Sequence, residues 1–193
     1  MALPISREQA WELVKKHNSH ERDLVHYLES EAIMKGLAKK LEEDVGYWGM
    51  LGLIHDIDWG LTKENIPTHL TKAPEILKEA GFDEKFIEIV LSHGYGYDLA
   101  DLKDKKRTEK LQHALACAET LTGLIHAYAL MREGGVSDMK VKGLKKKFKD
   151  KAFAAKVDRD IIRECEKLGL ELGEFSELSI DSIKKIATEV GLK

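Results

Sequence analysis

The chain has 193 residues, 43% hydrophobic and 34% charged, a mixture that excludes a disordered chain and supports a packed core in water. Its formal net charge of −3 gives no general reason to expect nucleic acid or an anionic membrane surface as partner. No apolar run approaches the ~20 residues of a membrane span, and residues 1–16 lack a basic-then-apolar leader pattern, so the expected location is cytoplasmic, with no membrane partner.

Only 3 prolines interrupt long stretches of Ala, Leu, Ile, Glu and Lys, which are helix formers, and the expected fold is all-α. Ser6 followed by Gln9 reads as a capping box that starts a first helix with Trp11, Leu13 and Val14 on its apolar face. A second helix is predicted over 21–41, where Leu24, Leu28, Ala32, Leu37 and Leu41 recur at helical spacing. Asp44 can cap a third, over 45–55, apolar on nearly every side and therefore expected at the centre of a bundle. The chain then loosens through 56–67. A fourth helix carries Ala73, Ile76 and Leu77 and stops at Gly81, and a fifth runs from Asp83 to near His93. A sixth spans 108–132 and stops at Gly134-Gly135. Beyond it comes a basic run containing Lys140, Lys142, Lys145, Lys146, Lys147, Lys149 and Lys151, then two more helices over 158–168 and 173–190. The boundary divides a helical core, residues 1–133, from a basic C-terminal extension, residues 134–193, packed on it. Cys117 and Cys165 lack CxxC spacing and read as buried reduced thiols.

Among 8 histidines, His55 stands out because it ends the most apolar helix and is followed at once by Asp56. Imidazole nitrogen and carboxylate oxygen are both good ligands for a divalent transition metal, and adjacent residues reach one ion most easily at a helix end. His26, His69, His93 and Glu119 each occupy an apolar or helix-terminal position on another predicted segment. Asp58 is near enough in sequence to contact a ligand histidine or a metal-bound water. Trp59 reads as a packing residue, and His17, His20, His113 and His126 as ordinary ones.

The ordered set His26, His55-Asp56, His69, His93 and Glu119 resembles the HD superfamily of metal-dependent phosphohydrolases, and GLIHDIDWG looks like its HDIG-type variant. The later VKVKGLKKKFKDKAFAAKVDRDIIRECEKLGL is similar to the tail of a group of uncharacterised HDIG-type predicted hydrolases. The resemblance implies an HD-domain helical bundle and a site for one or two divalent ions (Mn, Fe, Co, Ni or Zn). His26, His55 and Asp56 match the first ligands, His69 and His93 match the histidines added in two-metal subfamilies, and Asp56 would bridge. Glu119 falls where the family usually has aspartate, a departure that keeps the carboxylate and lengthens its reach. The implied activity is attack of a metal-activated water on a small phosphorylated substrate, a nucleotide or related phosphoester, with His55, Asp56 and Asp58 as the catalytic group. Lys142 and Lys146, one turn apart, are the expected phosphate-binding pair. Two other readings stay open: a di-iron HD-type oxygenase, and a regulatory module whose metal site has lost catalysis.

Overall fold

The structure, a computed structural model, describes residues 2–193, and the described residues form helices without a strand. Its elements are α1 (Arg7–His17), α2 (Glu21–Lys40), α3 (Val45–Ile54), α4 (Trp59–Thr62), α5 (Ala73–Glu79), α6 (Glu84–Ser92), α7 (Lys110–Ala129), α8 (Val141–Lys149), α9 (Arg159–Ile162) and α10 (Leu172–Lys184). Their starts follow local chemistry. Ser6 and Gln9 form the reciprocal capping box of α1, Asp44 accepts from the Tyr47 N–H to start α3, and Asp83 accepts from the Phe86 N–H to start α6.

The loosened stretch contains two features that composition did not announce: the single turn α4 and a 3-10 turn at Ile66–Thr68. The helix expected over 158–168 is α9 continued by a tighter 3-10 turn, Arg163–Leu168. The last helix stops at Lys184 rather than Val190, and the chain beyond it continues in turns.

Every residue of α3 from Tyr47 to Ile54 is buried, and α3 lies directly on α2. Gly52 makes that approach possible: a Cβ there would stand 2.7 Å from the Ser30 carbonyl oxygen. The turn after α3 is held as tightly. Buried Asn18 donates to the Ile57 carbonyl and accepts from the Gly60 N–H, and a Cβ at Gly60 would meet the His17 carbonyl oxygen at 2.1 Å.

Residues 134–193 share one apolar core with the rest. Phe175, Ile180 and Ile183 of α10 are buried in it, with α10 against α2, while Leu144 and Phe148 turn α8 inward toward α7 and α10. Burying each such side chain is worth about 1.5–3 kcal/mol. Polar groups reinforce the join. Arg107 makes two bonds of 2.7 Å to Glu164, which also accepts from His113 Nδ1 at 2.6 Å. Both cysteines are buried and free. No helix among the described residues is long and apolar enough to cross a membrane.

Candidate metal centre

The α2–α3 contact brings His26, on α2, beside His55, which ends α3, and their Nε2 atoms are 3.1 Å apart. Asp56 follows in the turn. Its Oδ1 lies 3.2 Å from His69 Nε2, 3.0 Å from His93 Nε2 and 3.6 Å from His55 Nε2, and its Oδ2 lies 3.8 Å from His26 Nε2. The side chains form two potential metal-binding groups, His26–His55–Asp56 and Asp56–His69–His93, which share Asp56.

Hydrogen bonding assigns the imidazole tautomers. Thr122 Oγ1 gives its proton to the Glu119 carbonyl, so its lone pair receives the N–H of His26 Nδ1 at 2.9 Å. His55 Nδ1–H donates to the Gly52 carbonyl at 2.9 Å, His93 Nδ1–H to the Val90 carbonyl at 2.6 Å, and His69 Nδ1–H to Asp58 Oδ1 at 3.0 Å. Each ring therefore turns its Nε2 toward the centre, as a lone pair whenever the ring is neutral. His26 and His55 face each other with lone pairs, and buried His93 Nε2 has no hydrogen-bond partner. Facing lone pairs beside a carboxylate repel unless a proton or a cation lies between them. Ligand atoms about 2.0–2.2 Å from a small cation are themselves about 3 Å apart, which is the spacing found here. The donor set fits a divalent transition metal, with Nδ1 anchors of the kind that orient ligand histidines.

The electrostatics agree. Burial pushes His55 down to about 3, so it is a neutral donor. Burial alone would also lower His69, but the charges of Asp56 and Asp58 outweigh it and push it up to about 10. Without a cation, that proton relieves the cluster. Asp56 is held well below the usual carboxylate range: burial opposes ionisation, but His55 and His69 overcome it.

Asp58 contacts a ligand histidine, one of the two places its sequence position allowed, and does not stand among the converging donors. It is fully buried, and besides the His69 ring it accepts the backbone N–H groups of Leu70, Lys72 and Ala73 at 3.2, 2.9 and 3.2 Å. With both oxygens engaged it is a positioning residue, fixing His69 and the start of α5. Arg107, which the sequence did not single out, does similar work for His93 by donating to the carbonyls of Ser92 and Tyr95 at 2.9 and 3.0 Å.

A cavity of about 440 Å³ opens over His26, Asp56, His69 and His93. Glu119 joins neither donor group; it lines this cavity, half-buried, and accepts from Thr120 Oγ1 at 2.5 Å. Burial raises its pKa, against the pull of His93 and His26. The expected lysine pair is corrected. Lys142 and Lys146 are exposed on α8 and border other grooves, because Leu144 and Phe148 supply the face that turns inward. The lysine on the metal-side cavity is Lys156. Trp59 also lines the cavity, its ring edge-on to His69 with centroids 5.1 Å apart. Its place just after the His55-Asp56 pair was the sequence signal for it, read there as packing.

The HD domain family matches residues 24–129. No curated protein and no solved structure matches the chain. More than half of the sequence lies inside the family match, the histidine–aspartate pair lies at the centre of the converging donors, and the chain belongs to the HD domain family of metal-dependent phosphohydrolases.

Proposed function

We propose that this chain hydrolyses a small phosphorylated molecule, with one or two divalent transition metal ions held by His26, His55, Asp56, His69 and His93. The observation that carries the reading is the convergence of four Nε2 atoms on one carboxylate, each ring anchored through Nδ1. A bound cation supplies two things to such a reaction: a water of near-neutral pKa and an electrostatic sink for charge on the phosphoryl oxygens.

The chain's own residues do the rest. His26 and His55 offer nitrogen donors on one side of Asp56, and His69 and His93 do so on the other. Asp58 keeps the His69 Nδ1 proton outward from the centre, so that Nε2 remains a donor. Glu119 adds a carboxylate to the cavity wall, where it is available as a further oxygen ligand. The cavity of about 440 Å³ over these groups offers room for a small organic phosphate.

The test is to strip the protein with chelator, reload it separately with Mn, Fe, Co, Ni and Zn, measure metal content, and assay phosphate release from phosphomonoesters, phosphodiesters and nucleotides. Turnover that tracks occupancy and disappears in His55→Ala is expected. Full occupancy without turnover with any metal sinks the hydrolase reading, and oxygen uptake by the iron-loaded protein would favour an oxygenase instead.

A further inference from the structure

The family match ends at residue 129, yet Lys156, Val157 and Asp158 line the cavity above the histidines. The preceding segment is wound around one guanidinium. Arg159 Nη1 donates to the carbonyls of Ala154 at 2.6 Å and Val157 at 2.5 Å, and Nη2 donates to those of Phe153 and, at 3.4 Å, Asp150. Ala154 takes a left-handed φ of 45° within this turn. Lys147 Nζ sits over the Phe153 ring, 4.4 Å from its centroid, and ties the same turn to α8. A loop bound this closely to its own arginine presents its side chains from a fixed frame.

Lys156 is the one lysine or arginine among the residues lining the cavity, and it has no ion-pair partner among the described residues. Another part of the wall is apolar: Trp59, Ile66, Tyr97 and Leu99. Ile66 is 57% exposed and Tyr97 40%, two of the five exposed large apolar side chains among the described residues. Apolar surface kept open at the mouth of a polar cavity is where an organic group gains most by entering. Apart from the histidines of the centre, the other charged side chains on the wall are acidic: Asp56, Glu119 and Asp158. One lysine beside the histidine centre suits one phosphate, whereas the further phosphates of a polyphosphate chain would lie against Glu119 and Asp158 with no second lysine or arginine to meet them.

We propose that residues 150–158 are a substrate-selecting element, in which Lys156 binds the phosphate while Trp59 and Tyr97 receive a flat aromatic group. The substrate class is an aryl or base-bearing monophosphate, in preference to small aliphatic phosphates and polyphosphates. The inference rests on the hydrolase reading and deepens it.

Calorimetric titration with non-hydrolysable probes tests it without relying on turnover. Phenylphosphonate, methylphosphonate and tripolyphosphate are titrated into the full chain, both metal-loaded and chelator-treated. Phenylphosphonate should bind the metal-loaded protein most tightly of the three. Lys156→Ala should weaken both phosphonates by about tenfold or more, the usual effect of losing a charge-assisted bond, and Lys156→Arg should restore most of it. Trp59→Ala should weaken phenylphosphonate more than methylphosphonate and so remove most of the preference for the phenyl group. Melting curves check that each variant folds. Equal binding of all probes, tighter tripolyphosphate, no binding at all, or an unaffected Lys156→Ala overturns the proposal. Phosphate release in the reloading assay with an unaffected Lys156→Ala rejects this inference alone; absent phosphate release rejects the hydrolase reading.

Discussion

Asp58 shows how much of a site can reside in a residue that never meets the reacting atoms. Its carboxylate takes one ring N–H and three backbone N–H groups, with no solvent exposure to substitute for any of them. Asp58→Asn keeps the volume but turns an amide toward donors that need an acceptor. Metal affinity should fall about 10–100-fold, the usual loss when a partner of a ligand histidine is removed. Competition against a chromophoric chelator measures it, and an unchanged affinity would show that His69 is oriented by something else. A second buried pair predicts a pH effect away from the centre. His126 Nδ1 lies 2.8 Å from Glu29 Oε1, and this bond, opposed by burial, raises His126 above its usual 6.5. A histidine raised in the folded state contributes stability that is full below its unfolded pKa and is lost as pH rises through the folded value. The melting temperature relative to His126→Gln should therefore fall as the pH rises from about 6.5 upward through the raised folded value. A gap that stays constant across that range would show that the charged pair contributes nothing.

Among the elements, the α2–α3 contact decides whether the first two histidines meet. The Cβ of Gly52→Ala would lie 2.7 Å from backbone, with no flexible side chain to give way. Such overpacking costs about 1–3 kcal/mol. Because the helices must part, the variant should lose metal affinity as well as stability, which melting curves and the same chelator competition would detect. Full metal affinity in a destabilised Gly52→Ala would separate the packing from the site. Much of this level could be read from sequence. The caps at Ser6, Asp44 and Asp83 and the apolar run ending at His55 are local signals, and they placed the histidines at the right ends of the right helices. What could not be read depends on contacts between distant segments. The lysines at 142 and 146 share a helix face by spacing, but only Leu144 and Phe148 determine which neighbour that helix meets. Lys156 reaches the cavity through a turn held by Arg159 and four carbonyls, an arrangement without periodicity. The length of α7 was legible; the distance from Glu119 to the donor groups was not, because it depends on how α7 lies over α2.

For the molecule as a whole, the stretch after residue 133 completes the core rather than decorating it. Removing it uncovers the face of α2 that meets Phe175 and Ile183, and strips Arg107 of Glu164 while Arg107 still holds the His93 turn. A chain cut after residue 133 should lose its cooperative melt and near-ultraviolet circular dichroism while keeping part of its helical signal. A cooperative, metal-binding fragment would show instead that the core is self-sufficient.

The Nδ1 anchors have a further consequence, for which ions are welcome. A ring free to swing can follow a larger cation outward; a ring tethered at its far nitrogen to Gly52, Val90, Thr122 or Asp58 cannot, without breaking that bond. The tethers come from several different helices and turns, so no single hinge relaxes them together. Calcium, which takes six to eight oxygen ligands at about 2.3–2.6 Å, is mismatched to this centre in both chemistry and radius, whereas the smaller transition ions suit it in both. A cation held here would thus be selected by size through hydrogen bonds on the side of each ring that faces away from the centre.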